Sequence, residues 1–248
     1  MEQQKVIVAN RLDYVDLAKG VMILLVVSGH ILQCNVMDYK SNGIFSFIYS
    51  FHMPLFFLLS GFVMGVTRQK LQSTPFIVWL CSKIQTLFIP FLVWSLIVYK
   101  YIDPVSHSSL NVDAVIQLFA SPDNGVWFLL SLFCIQIICY PVFRFKNVLW
   151  WSIPLAFITI GTLLGGSFAY CNIFHYTSFL LGYLFYSNQK LIFNHYVASA
   201  SLILFILAEL LYPNPLLCTL TSGICLLYIC KSLPYNGGGY FEEALCYW

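Results

Sequence analysis

Long apolar runs separated by short polar breaks dominate the chain. Eight stand out, near 17–36, 44–66, 84–102, 125–143, 148–166, 169–187, 195–212 and 214–233. Most approach the roughly 20 residues that carry an α-helix across a hydrocarbon core. Alternating segments of about ten residues, the mark of a membrane barrel, do not stand out. The pattern predicts an all-α, polytopic integral membrane helix bundle of about eight transmembrane helices. Phe76–Ser82 is apolar but short, and is expected to lie along the interface before the third span. Neither a repeat nor a low-complexity linker divides the pattern. Residues 1–233 therefore read as a single transmembrane domain, and 234–248 as an atypical tail.

Composition agrees. Of 248 residues, 60% are hydrophobic and only 9% charged, with a mean hydropathy of +0.80. Soluble domains carry about 25% charged residues, so this chain lacks the polar cover that an aqueous surface needs. Basic residues give a direction. With the N-terminus cytoplasmic, Lys5, Arg11, Lys19, Arg68, Lys70, Lys83, Arg144, Lys146, Lys190 and Lys231 fall inside, against Lys40 and Lys100 outside. Cytoplasmic loops are enriched in this way. A missed span would scramble the alternation, so the bias also supports the count. Trp94, Tyr99, Tyr101, Trp150 and Trp151 sit near span ends, where aromatic belts form. The outer loop 103–124 holds Asp103, Asp113 and Asp123 and no Lys or Arg. The N-terminus is polar as far as Asp16 and lacks the layout of a cleaved leader, so the first span is expected to persist.

The net charge of +2 adds little, and no basic cluster alternates with exposed aromatics, so nucleic acid is not an expected partner. Cysteines, among them Cys34, Cys81, Cys134, Cys139, Cys218 and Cys225, form no CxxC spacing; they read as small apolar residues, with no metal expected.

Ionisable side chains within spans are costly and point to function. The first span carries Asp16, Lys19 and His30. Eleven residues separate Lys19 from His30, three turns on one face and about 16 Å along the axis. Asp16 lies one turn before Lys19. Each also has a plainer reading. Lys19 suits a cytoplasmic anchor, Asp16 a partner to it at a helix start, and His30 a hydrogen-bonded structural histidine. The second span, SFHMPLFFLLSGF at 50–62, brings in His52. Counting from the outer surface, His30 lies about 9 Å deep and His52 about 12 Å, so the two can share a cavity. Pro54 frees a backbone carbonyl, and Gly61 and Gly65 form a GxxxG pattern of close packing. Trp127 opens the fourth span, where a belt tryptophan also fits. Histidine suits general-base work near neutral pH. Lys19 and Lys83, at the inner edge, suit a charged nucleotide donor.

Five blocks in order resemble the acyltransferase family 3 membrane proteins, in particular the fucose 4-O-acetylase-like branch: DLAKGVMILLVVSGH at 16–30, SFHMPLFFLLSGF at 50–62, KIQTLFIPFLVWS at 83–95, NGVWFLLSLF at 124–133 and FHYTSFLLGYLF at 174–185. The resemblance implies an O-acyltransferase that moves an acyl group, commonly acetyl from cytoplasmic acetyl-CoA, onto a hydroxyl of an extracytoplasmic polysaccharide or its precursor. Its partners would be the acyl-CoA donor, a carbohydrate acceptor and the lipid bilayer, with no bound cofactor beyond the donor substrate. The implied location is the bacterial cytoplasmic membrane, in the service of the cell envelope. The family's Arg-x10-His pattern falls on Lys19 and His30, which makes His30 the base, Lys19 a donor-positioning cation and Asp16 its neighbour. Lysine there lacks the bidentate fork of arginine. Substrate- or donor-binding candidates are His52, Lys83, Trp127 and Asn124.

The family has about ten spans, whereas eight are read here before GGGYFEEALCYW. One explanation is a frameshift within a segment resembling Phe-Gly-Arg, which would leave a truncated enzyme or an inactive remnant. From other classes, a glycan or lipid-intermediate flippase also suits intramembrane His and Lys with a Pro-kinked helix, as does a scaffold subunit of an export complex.

Overall fold

The computed structural model describes residues 12–97, 127–145, 152–163, 173–211 and 214–233. Ten helices account for most of them: α1 (Asp13–Asn35), α2 (Gly43–Val66), α3 (Arg68–Ser73), α4 (Phe76–Ile97), α5 (Trp127–Arg144), α6 (Ser152–Leu163), α7 (Ile173–Ser187), α8 (Gln189–Ile192), α9 (His195–Leu211) and α10 (Pro215–Ser232). No strand occurs among the described residues. Helices α1, α2, α4, α5 and α10 are long and apolar enough to cross a membrane, and α9 is a shorter apolar helix. The fold is an all-α membrane bundle, and each of the eight expected runs carries a helix. Tyr99, Tyr101, Trp150, Trp151, the loop 103–124 with Asn124, and the tail 234–248 lie outside the described residues.

One expectation is corrected. Phe76–Ser82 does not form a separate interfacial piece but makes the first turns of α4, a helix of 22 residues. Ser82 and Lys83 interrupt its hydropathy without breaking its backbone. Ile84–Phe88 forms a π turn just ahead of Pro90. Proline has no N–H, and its ring presses on the carbonyl four residues back; a local change of hydrogen-bond register relieves that conflict. Within this stretch the Thr86 hydroxyl donates to the Ser82 carbonyl at 2.9 Å.

The described helices pack as two compact units, with α2 passing from one to the other after Leu59. The first holds α1, the first two-thirds of α2, and α8 to α10. At one end, Tyr14 at the start of α1 meets Phe193 edge-on at 5.6 Å, and the Lys231 ammonium near the end of α10 lies 3.6 Å over the Phe193 ring. At the opposite end, Asn42 caps α2 by accepting from the Ile44 and Phe45 amides at 3.0 and 3.1 Å. Asn214 caps α10 in the same way, with Pro215 supplying a first turn that needs no N–H. Helices α1 and α9 thus run one way, and α2 and α10 the other. Close approach depends on small residues: a Cβ on Gly29 would reach within 2.9 Å of the Tyr49 ring, and one on Gly223 within 3.1 Å of Leu58.

In the second unit the GxxxG pair performs its expected role. A Cβ on Gly61 would overlap the Phe179 backbone carbonyl, and one on Gly65 would sit 2.6 Å from the Tyr186 ring, so α2 lies almost directly on α7. Two arginines tie helix ends together. Arg68 donates through Nε to the Phe143 carbonyl at 3.1 Å and through Nη1 to the Tyr183 hydroxyl. Arg144 reaches the Leu71 carbonyl at 3.1 Å. These are carbonyls near helix C-termini, which lack intrahelical partners and favour a cation.

Candidate functional site

Helix α1 presents the stripe expected of it. Lys19 Nζ and Asp16 Oδ1 form a half-buried ion pair at 3.2 Å. Three turns further on, His30 is exposed. The rise of the helix separates the two cations by about 16 Å, so the pair and the imidazole are distinct stations on one face.

His52 enters from α2 and is 4% exposed. Its Nδ1 lies 2.9 Å from the Ile48 carbonyl. A carbonyl only accepts, so Nδ1 carries the proton and Nε2 is left as the basic nitrogen. His30 and His52 both lie by the contact between α1 and α2. Gly29, the residue before His30, lies against Tyr49, and Tyr49 lies against His52 with ring centroids 4.5 Å apart. The Tyr49 hydroxyl also bonds Gln33 Oε1 at 3.1 Å, one turn beyond His30. Phe45 also stacks on the Tyr49 ring at 3.9 Å. Tyr49 is thus the piece that holds the two histidines in one region. It carried no signal in the sequence beyond its place in an aromatic run.

Next to Tyr49, toward the end of the unit with the Asn42 and Asn214 caps, a cleft of about 620 Å³ opens, lined among others by Lys40, Phe47, Tyr49, Ser50 and Glu209. Glu209 is the acidic residue of α9. Ser50 donates to its Oε1. The Ser50 carbonyl is the one that Pro54 leaves without its i+4 donor. Sequence reasoning passed over Glu209, although a lone carboxylate in an apolar run is the signal that singled out Asp16.

The remaining expected residues fall in the second unit. Lys83 is half-buried on α4. Trp127 opens α5 and lies against His175, ring centroids 5.1 Å apart and tilted; His175 is a buried histidine of α7 that the sequence left unremarked within FHYTSFLLGYLF. Asn124 lies outside the described residues. Among the described residues no group of His, Cys, Asp and Glu is placed to hold a metal ion.

Comparison with known proteins adds a family. Residues 12–240 match the family described as an acyltransferase domain. The nodulation protein NolL of Sinorhizobium fredii is 28% identical over 205 residues, which cover 79% of this chain and 55% of that protein. The protein of the same name from Mesorhizobium japonicum is 26% identical over 151 residues, covering 58% of this chain and 39% of that one. The chain therefore spans about half the length of the curated relatives it matches. No solved structure matches it.

Proposed function

We propose, for a chain that belongs to the acyltransferase domain family, the transfer of acetyl from cytoplasmic acetyl-CoA to a hydroxyl of an extracytoplasmic polysaccharide or its precursor. The observation that carries this reading is the accessible His30, beside the Gly29–Tyr49 contact that also holds His52. In the reaction, His30 takes the proton of an acceptor hydroxyl as its oxygen attacks the acetyl carbonyl carbon. The carbon–sulfur bond of the thioester breaks, and the proton returns from His30 to the departing thiolate. A base placed in this way contributes about 10²- to 10⁴-fold. His52 has Nδ1 turned to the Ile48 carbonyl, which leaves Nε2 to orient the acceptor hydroxyl or the imidazole of His30.

Orientation follows from charge. Lys19, Lys190 and Lys231 lie at the Tyr14–Phe193 end of the first unit, and Lys40 at the other. Cytoplasmic loops carry the excess of Lys and Arg, so the Tyr14 end is cytoplasmic and the His30–His52 end faces outward in the bacterial inner membrane. Lys19 then waits at the donor's side, and a pantetheine arm lying along α1 covers the distance to His30.

Sidedness tests this reading. Inside-out membrane vesicles are given labelled acetyl-CoA from outside. Label on carbohydrate in the vesicle lumen, protected from an added esterase until the vesicles are opened, is the expected result. Label found only on the outer, cytoplasmic face overturns the orientation, and no chain-dependent label on carbohydrate overturns the reaction.

A further inference from the structure

Ser50, on α2, and Glu209, on α9, are far apart in the chain and hydrogen-bonded at the rim of an open cleft. Membrane helices avoid carboxylates, and an ionised one near the bilayer persists where it has partners and a use. The Ser50 hydroxyl holds Glu209 in place. A carboxylate offers about four acceptor sites, so capacity remains on the cleft side.

The lining limits the occupant. An acyl chain would cover Glu209 without satisfying it, at the cost of a desolvated charge. A phosphate or carboxylate ligand would meet the like charge of Glu209. A neutral polyol meets neither objection: its hydroxyls donate to Glu209, its oxygens accept from the exposed Lys40, and its C–H face suits the exposed rings of Phe47 and Tyr49. Charge-assisted hydrogen bonds of the first two kinds are the stronger class. Tyr49 is shared between this cleft and the wall of His52, so an occupant lies next to the two histidines.

We propose that the cleft of Lys40, Tyr49, Ser50 and Glu209 is a sugar-binding subsite in which Glu209 accepts hydrogen bonds from neighbouring hydroxyls of a neutral hexose ring. It deepens, and rests on, the reading of the chain as a carbohydrate acyltransferase.

The test uses the full chain, purified in a detergent that contains no sugar. Saturation-transfer difference NMR with methyl glycosides of neutral hexoses measures binding, and acetyl transfer is assayed on the same preparations. At least one glycoside is expected to bind the native chain, with affinity falling about tenfold in Glu209→Gln, as loss of a charged hydrogen bond implies. Lys40→Ala and Ser50→Ala should each weaken binding severalfold; Lys40 lies outside the long helices, so its variant carries the test if Glu209→Gln does not fold. Equal binding by the native chain and the cleft variants overturns the subsite, as does the absence of binding by every glycoside, whether or not acetyl is transferred. Binding that depends on Glu209 without any transfer supports the subsite and overturns the acyltransferase reading.

Discussion

Gln33 and Tyr49 meet across the α1–α2 contact, the tyrosine hydroxyl 3.1 Å from the glutamine carbonyl oxygen. That bond and the Gly29–Tyr49 contact set α1 against α2 where His30 and His52 lie. Tyr49→Phe removes only the bond to Gln33 and leaves the ring against His52 and Phe45. Its expected cost is about 1 kcal/mol, a small fall in thermal midpoint, with activity within a few-fold of native. Tyr49→Ala removes the ring as well, and transfer should fall at least tenfold at matched expression. Equal loss in both variants would assign the effect to the hydroxyl rather than to the ring.

Glycine positions predict opposite outcomes at two sites. At Gly61 an added methyl meets the backbone of Phe179, which cannot yield as a side chain does. Gly61→Ala should cost about 1–3 kcal/mol or more, read as a lower thermal midpoint and poorer yield of monodisperse protein. At Gly20 nothing beyond the helix's own adjacent backbone lies within 4 Å of the added carbon, so Gly20→Ala should be neutral or stabilising by up to about 1 kcal/mol through helix propensity. A stable Gly61→Ala chain would contradict the close approach of α2 to α7.

Asp16 and Lys19 separate stability from donor binding. Their ion pair is about a third exposed on the lysine side. Such pairs contribute about 0–1 kcal/mol, so Asp16→Asn and Lys19→Ala should each unfold within a few degrees of native. If Lys19 positions the donor, Lys19→Ala raises KM for acetyl-CoA severalfold, and Asp16→Asn, which keeps the cation, raises it less. Matching KM values for the two variants would mean that Lys19 serves only as the partner of Asp16.

Much of this was readable from the residues, for identifiable reasons. Membrane helices satisfy their own backbone, so hydropathy alone located α1, α2, α5 and α10 closely. It misplaced the start of α4, because a polar Ser82-Lys83 step looks like a helix end although its backbone continues through a π turn. Asp16, Lys19, His30 and His52 stood out as ionisable groups in apolar surroundings. Their pairing by depth came from simple rise per residue, which works where two helices follow one another directly. Tyr49 and Ser50 gave no comparable signal, since an aromatic or a serine in a span is ordinary. Glu209 did give one, but its meaning depended on a partner on α2, which no local pattern could reveal. Lys83 and Trp127 belong to the second unit, a long-range assignment that spacing does not carry.

The central claim is that His30 is the base, and one comparison tests it most directly: labelled acetyl transfer to carbohydrate by the native chain and by His30→Ala, at matched expression and matched thermal midpoint. His30 is exposed and its removal leaves no buried cavity, so the variant should fold like the native chain while transfer falls at least about 100-fold. A folded His30→Ala chain that transfers acetyl within a few-fold of the native rate would contradict the account.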